Sequence, residues 1–193
     1  KKLLMYASHA AEELCNAESL GWSCRGASFD WAELRNGVQA ELRRLNGIYD
    51  GLLEKFNVHV YQNSARFINT KTVQVGGEKI TADRFMIATG GSPFVPDFLG
   101  CEHAIISDDA FLLEKLPKQM AIIGGGYIAL EFASIFHGLG VEITLVVRSA
   151  RLLRGFDADL AEHLRAEMVK KGIVIKCGSA VDRIEKTADG LRV

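Results

Sequence analysis

The sequence lacks a marked excess of charge of either sign. Its 23 lysines and arginines stand against 24 aspartates and glutamates, which leaves a formal net charge of −1. A chain this close to neutral has no broad electrostatic field that would hold a polyanion. We therefore expect neither nucleic acid nor an anionic membrane as a partner.

A long uninterrupted apolar run is also absent. The best candidate, residues 120–136, contains the glycine cluster 124–126 and Glu131, so we expect no membrane span. No signal peptide is visible at the start. The helical pattern of residues 1–17 begins without a capping residue, and the chain closes on one strand after Gly190. We expect the sequence to be a piece of a longer protein.

Paired cysteines and metal-ligand clusters are missing as well. The five histidines show no ligand spacing, so no metal site is predicted. Isolated thiols are typical of reduced cytosolic proteins, which predicts a cytoplasmic location. The four cysteines form no C-x-x-C motif and are Cys15, Cys24, Cys101 and Cys177.

The sequence does contain a glycine-rich turn between an apolar strand and an apolar helix. Residues 120–131 read Met-Ala-Ile-Ile-Gly-Gly-Gly-Tyr-Ile-Ala-Leu-Glu, which is the G-x-G-x-x-G/A dinucleotide pattern. Gly124 permits the sharp turn, Gly126 lets a pyrophosphate approach the backbone, and Ala129 allows close packing of the helix on a buried strand. The pyrophosphate is expected at the positive end of the helix.

The surrounding pattern supports this interpretation. A strand at residues 142–147, a helix at 157–171 and a strand at 173–176 complete a βαβαβ order. The fold class is therefore α/β, with a candidate domain boundary between residues 91 and 117. The elements predicted before that boundary are helices at 1–17 and 31–56, a strand at 58–61, an antiparallel meander across 65–81 and a buried strand at 84–91, and a short helix follows at 110–116.

The end of the second strand predicts which nicotinamide cofactor binds. An NAD site places an acid there for the ribose 2′-hydroxyl, whereas an NADP site replaces that acid with arginine. Here Arg148 follows the strand, Arg154 lies six residues on, and no carboxylate occupies the strand end. Because arginine matches phosphate oxygens with a planar fork, we predict NADPH. The alternative is that both arginines are solvated surface charges.

Together these motifs resemble the FAD-dependent pyridine nucleotide–disulfide oxidoreductases, and within them the glutathione reductase branch. The resemblance covers essentially all 193 residues. It implies parts of two Rossmann-like domains, with the C-terminal part of an FAD domain at 1–116 and the N-terminal part of an NADPH domain at 117–193. The segments that carry it are residues 1–2, 44–49, 88–91, 124–131, Arg148, and 154–157.

The resemblance also implies an activity. Such enzymes pass a hydride from NADPH to FAD, then electrons to a cysteine pair, and finally to glutathione disulfide, and they act as homodimers. The family's C-x-x-x-x-C pair lies immediately before the position of Lys1. The flavin's own glycine motif and the His–Glu acid–base pair also fall outside this sequence. We therefore expect the fragment alone to be inactive, although its parent turns over.

Residue roles follow from the same resemblance. Lys1 would lie beside the flavin ring and pair with Glu131 in a partly enclosed site. Tyr127 would cover the flavin and move aside for nicotinamide, and Tyr49 would reach the redox disulfide and the glutathione site. The implied contacts are Ala65, Thr89, Gly90 and Ser107 toward FAD, and Gly125, Ile128, Arg148 and Arg154 toward NADPH. Further expected cofactor-binding residues are Ala88, Gly124, Gly126 and Glu131.

The same residues also allow other interpretations. Tyr49 also belongs to the apolar stripe of the helix at 31–56, most of which is expected to be core, and Tyr127 could serve packing alone. The parent could instead be a trypanothione reductase, a mercuric reductase or a dihydrolipoamide dehydrogenase. From a different class, the chain could be a non-catalytic NADPH-binding module.

Overall fold

A computed structural model describes all of residues 1–193. The chain divides into two compact units, one of residues 1–38 with 93–193 and one of residues 39–92. The predicted boundary at residue 117 separates an FAD-binding part from an NADPH-binding part. The two units are defined by contacts within the chain and do not test that boundary, so it stays a prediction. No helix combines the length and the apolarity that crossing a bilayer requires.

The elements follow one another as five helices and eight strands, with one 3-10 turn at Cys101–His103. In chain order they are α1 (Lys2–Ser19), α2 (Trp31–Lys55), β1 (Ala65–Asn69), β2 (Thr72–Val75), β3 (Glu78–Thr81), α3 (Ser107–Ala110), β4 (Gln119–Ile123), α4 (Tyr127–Gly138), β5 (Glu142–Val147), α5 (Ala158–Lys170), β6 (Val174–Cys177), β7 (Glu185–Thr187) and β8 (Gly190–Arg192).

The first unit is built on a parallel sheet of order β4-β5-β6, which confirms the predicted α/β class. Met120 lies opposite Ile143, and Val146 lies opposite Lys176. β5 is central, and alternate residues along it are buried. β4 is covered only in part, because it is an edge strand. The prediction of a buried strand before the glycine turn is therefore wrong.

The core of the first unit centres on the buried face of α4. Phe136 is fully buried and its ring stacks on Phe132 at 5.8 Å between centroids. Trp31, at the start of α2, lies 6.1 Å from the Phe136 ring and donates its indole N–H to the Leu113 carbonyl at 2.7 Å. Aromatic burial of this size dominates local stability, so it anchors the helix that follows the glycine turn.

α1 packs closely on α4 through small residues. Ser8 is buried at the crossing, and its hydroxyl lies 3.5 Å from the Ser134 carbonyl. A Cβ added at Gly138 would overlap the Ser8 Oγ and lie 3.0 Å from its Cβ. The absence of a side chain at Gly138 therefore lets the two helices approach.

The second unit contains the predicted antiparallel meander. β2 pairs with both neighbours, with Val73 opposite Phe67 on one side and Ile80 on the other. Gly76 has a φ of +57° in the hairpin turn, a conformation that glycine adopts readily. The strands predicted for residues 65–81 are thus confirmed.

Two other predicted strands are wrong. Residues 58–61 and 84–91 pair with no other segment and form no strand. Met86 and Ile87 are 90% and 74% exposed, so the second of these segments is not buried either. A strand exists only where a neighbouring backbone supplies hydrogen-bond partners, and no segment of this chain supplies them here.

The helices before the nucleotide unit also differ in detail. α2 begins as predicted, because Asp30 Oδ1 accepts the Glu33 N–H at 3.0 Å. Its apolar stripe is buried only at Trp31 and Val38, since nothing within the second unit covers the later positions. The short helix predicted at 110–116 instead spans Ser107–Ala110, where the Asp109 carboxylate accepts the Ile106 N–H at 3.0 Å.

Candidate dinucleotide-binding site

The glycine turn leaves β4 in a conformation that few residues other than glycine adopt. Gly124 has a φ of +135°, and its N–H donates to the Val146 carbonyl at 2.9 Å. An added Cβ at this position would lie 3.7 Å from the Ala129 Cβ. The turn is therefore tied to β5 and lies against the first turn of α4.

The other two glycines of the turn face different surroundings. A Cβ on Gly125 would lie 2.6 Å from Val147 Cγ1 and 3.6 Å from Leu152 Cδ2. A Cβ on Gly126 would meet nothing within 4 Å. Gly125 is thus constrained by packing against β5 and the loop after it, whereas Gly126 borders open space that an extended phosphate group could enter.

The N-terminus of α4 presents uncapped amides to that space. Gly126 is the N-cap, and no side chain caps the helix. The first backbone bond is from the Leu130 N–H to the Gly126 carbonyl, so the N–H groups before it have no intrahelical acceptor. α5 differs, because the Asp157 carboxylate accepts the Asp159 and Leu160 N–H groups. The residues of the α4 turn fit a pyrophosphate.

Residues 148–157 form the loop after β5, here called the arginine loop. Arg148 directly follows Val147, the residue that packs on Gly125. Arg154 directly follows Leu153, whose N–H donates to the Gly125 carbonyl at 2.8 Å. Both arginines are exposed, and neither pairs with a carboxylate. The structure therefore anchors both arginines within one residue of a contact to the glycine turn.

The start of the arginine loop is hydrogen-bonded to the residues that follow β6. The Ser179 N–H donates to the Val147 carbonyl at 3.1 Å, and the Gly178 N–H donates to the Ser149 carbonyl at 2.9 Å. The Ser149 hydroxyl donates to the Arg151 carbonyl at 2.6 Å. Hydrogen bonds thus fix the start of the loop, while the guanidinium groups of Arg148 and Arg154 pair with no carboxylate.

Lys1, Glu131 and Tyr127 come together on the first turn of α4. Lys1 Nζ forms an ion pair with Glu131 Oε2. The same ammonium lies 5.6 Å from the centre of the Tyr127 ring, within the range of a cation–π contact. The Lys1 and Glu131 side chains are 36% and 49% exposed, so the pair is open to solvent. The structure contains this pairing, and a role at a flavin stays a prediction.

The other predicted residues lie on separate elements. Ser107, in the first unit, is the half-buried first residue of α3. In the second unit, Tyr49 is 62% exposed on α2, and Ala65 begins β1 opposite Val75. Residues 88–90 lie outside any strand, and Gly90 has a φ of +71°. Flavin contacts for these residues stay predictions.

Sequence reasoning missed Leu153 and the two buried residues that lie against Gly125. Leu153 has a φ of +50°, in the left-handed region that side chains rarely adopt. Val147 and Leu152 are 2% and 1% exposed. Nothing in the local sequence distinguishes a leucine with this backbone from an ordinary apolar loop residue.

Comparison with known proteins identifies a family that the whole chain matches. The family described as pyridine nucleotide-disulphide oxidoreductase matches residues 1–193. Over 193 residues the chain is 41% identical to a glutathione reductase of Burkholderia cepacia, which is all of this chain and 43% of that protein. It is 36% identical over 179 residues to a mercuric reductase of Lysinibacillus sphaericus, across 90% of this chain and 32% of that protein.

A solved structure agrees with the fold. It is the copper(II) complex of the HOCl-induced flavoprotein disulfide reductase RclA of Escherichia coli, with a TM-score of 0.81 and 25% identity. The match covers 100% of this chain and 41% of that one. The chain thus spans less than half the length of the proteins it resembles.

Proposed function

The chain belongs to the pyridine nucleotide-disulphide oxidoreductase family, and on that premise we propose that its parent protein reduces glutathione disulfide with NADPH and FAD. The identity of 41% to a glutathione reductase over the whole chain supports the substrate. The 36% identity to a mercuric reductase keeps mercuric ion as the second candidate. The parent is proposed to be a cytoplasmic homodimer.

The NADPH part of the proposal rests on the end of β5. Arg148 occupies the position where an NAD site carries an acid. An acid there would repel a 2′-phosphate, whereas two unpaired guanidinium groups can each donate charge-assisted hydrogen bonds to it. The exposure of Arg148 and Arg154, and their lack of carboxylate partners, support this role.

The glycine turn would hold the pyrophosphate of the same cofactor. The uncapped amides of α4 supply donors, and the open space beside Gly126 allows the approach. Gly124 and Ala129 bring the turn and helix together, and Ile128 borders the exposed first turn. These residues bind and orient the dinucleotide and take no part in the chemistry.

Three residues of the first unit are proposed to act near the reacting end. When bound, NADPH supplies a hydride and FAD carries the electrons onward to the disulfide. Lys1 places a positive charge beside that end, and Glu131 holds Lys1 in place through their ion pair. Tyr127 would cover the same place, and its exposure of 57% leaves it room to move aside for a nicotinamide.

Calorimetry on the 193-residue chain tests the cofactor. We expect NADP⁺ to bind more tightly than NAD⁺, and the Arg148→Glu variant to lose about tenfold to a hundredfold in NADP⁺ affinity, the value of one charge-assisted hydrogen bond. Arg151→Glu is the matched control on the same loop and should lose less. Equal binding of the two nucleotides by the unmodified chain would refute the NADPH assignment.

Turnover by the full-length parent tests the substrate. NADPH oxidation that depends on glutathione disulfide supports the proposal. NADPH oxidation that depends on mercuric ion and not on glutathione disulfide would instead make mercuric ion the substrate. NADPH binding without oxidation by any disulfide or metal ion would make the protein a nucleotide-binding module.

A further inference from the structure

The middle glycine of the turn and the arginine loop are locked to each other. The Leu153 N–H donates to the Gly125 carbonyl at 2.8 Å, and the Val147 side chain lies where a Gly125 side chain would be, with Leu152 in van der Waals contact beside it. Leu152 and Val147 are buried, so these contacts belong to the core. A shift of the loop relative to the turn would break a backbone hydrogen bond and open the core beneath it.

Leu153 makes this contact with a backbone that leucine ordinarily avoids. Its φ is +50°, and only one other non-glycine residue of the chain, Asn57, has a positive φ. Such conformations persist where the surroundings determine them. Here the determinants are the bond to Gly125, the burial of Leu152, and a further bond from the Phe156 N–H to the Leu153 carbonyl at 2.9 Å.

This conformation decides where Arg154 leaves the loop. Arg154 follows Leu153 directly, and a change from positive to negative φ at Leu153 would redirect the chain at the next residue. Arg148 has an independent anchor, because it follows Val147 at the end of β5. The two arginines therefore depend on different parts of the structure, one on the sheet and one on Leu153.

We propose that Leu153 is a positioning residue for cofactor specificity. Its left-handed backbone and its bond to Gly125 hold Arg154 beside the glycine turn, so that the groups for the pyrophosphate and for the 2′-phosphate form one preassembled unit. This inference rests on the proposed use of NADPH. Leu153 thereby contributes to the discrimination between NADP⁺ and NAD⁺, although its side chain is apolar.

Three substitutions at one position separate the backbone effect from the side-chain effect. Leu153→Pro removes the N–H and forbids a positive φ. Leu153→Val keeps the N–H and an apolar side chain, but a β-branched residue strongly disfavours this conformation. Leu153→Asn loses the apolar side chain but tolerates the left-handed region and keeps the N–H. Thermal unfolding of each variant establishes that it is folded.

The readout is the ratio of the Kd for NAD⁺ to the Kd for NADP⁺, measured by calorimetry on the 193-residue chain. We expect Leu153→Val and Leu153→Pro to lower this ratio by about tenfold, equivalent to about 1.4 kcal/mol, with the NAD⁺ Kd unchanged within about twofold. Leu153→Asn should keep the ratio of the unmodified chain. If Leu153→Pro does not fold, Leu153→Val and Leu153→Asn decide the question.

Two results would overturn the inference, and they differ from a failure of the proposed function. Equal weakening of both nucleotides by Leu153→Val would show that Leu153 serves packing alone. An unchanged ratio in the folded variants would show that Arg154 needs no positioning. An unmodified chain that binds NADP⁺ and NAD⁺ equally would instead refute the NADPH assignment, and this inference with it.

Discussion

Lys1 and Glu131 join the start of α1 to the first turn of α4 through an ion pair between Nζ and Oε2. The two residues are 130 positions apart in sequence. The same two helices meet again at Ser8 and Gly138. Ser8 lies seven residues after Lys1, and Gly138 lies seven residues after Glu131. The ion pair is thus one end of a helix–helix contact whose other end is closely packed.

The Lys1–Glu131 pair is expected to matter for chemistry more than for stability. Because both side chains are more than a third exposed, Glu131→Gln should change the free energy of unfolding by less than about 1 kcal/mol. In the full-length parent the same substitution should slow flavin reduction by NADPH, measured by stopped-flow absorbance. A large loss in Tm with an unchanged rate would contradict this assignment.

Gly125→Ala and Gly126→Ala should separate stability from nucleotide binding. The added Cβ at Gly125 would lie 2.6 Å from Val147 Cγ1, so we expect a loss of about 1–3 kcal/mol in unfolding free energy. At Gly126 the Cβ would meet nothing within 4 Å, so stability should fall only by the roughly 0.5–1 kcal/mol that alanine costs at an N-cap, while NADP⁺ affinity falls. Urea unfolding and calorimetry on both variants measure the two effects. A stable Gly125→Ala variant would argue against the packing of β5 on the turn.

Gly138→Ala should destabilise the chain although alanine favours helix. The added Cβ would overlap the Ser8 hydroxyl, and overpacking of this kind costs about 1–3 kcal/mol. Gly47→Ala is the matched control, because that exposed position on α2 has open space around it, and it should gain about 0.5–1 kcal/mol. Unfolding in urea measures both.

The coupling at Gly138 has its own test. Replacing Ser8 by alanine removes the overlapping hydroxyl, so the Ser8→Ala, Gly138→Ala double variant should lose less stability than the sum of the two single variants. Simple additivity of the two losses would show that the α1–α4 crossing adjusts elsewhere.

The ion pair between Lys171 Nζ and Glu12 Oε1, at 2.8 Å, should make stability depend on acid pH. The hydrogen bond from Lys171, and then its charge, lower the pKa of the Glu12 carboxyl below its ordinary value. A lowered folded-state pKa contributes stability above the unfolded-state pKa, and this contribution is lost as pH falls through the folded-state value. The loss should therefore occur below about pH 4.3.

The variant that measures this pair is Glu12→Gln. Both side chains are at least half exposed, so the expected loss at pH 7 is only about 0.2–1 kcal/mol. The difference from the unmodified chain should shrink as the pH falls below the ordinary carboxyl pKa, and Glu13→Gln, on the same helix without an ion pair, should show no such trend. Thermal unfolding between pH 7 and pH 3 measures both variants. A difference that does not shrink between pH 7 and pH 3 would assign the effect to helix propensity.

Local patterns in the sequence were enough to predict much of the first unit. Gly124, Gly126 and Ala129 predicted a strand–turn–helix that the structure contains, and the strand predicted at residues 142–147 correctly placed Arg148 directly after β5. Asp30 predicted the start of α2 in the same way. Such features depend on neighbours a few positions apart, because turns, caps and periodicity are local.

The tertiary structure alone decided the features that depend on distant residues. Residues 58–61 and 84–91 have the composition of strands but pair with nothing, because strand formation needs a partner backbone that composition does not reveal. The left-handed Leu153, its bond to Gly125 and the approach of Ser8 to Gly138 join segments far apart in sequence. Packing selected these contacts, and packing depends on which surfaces the whole chain brings together.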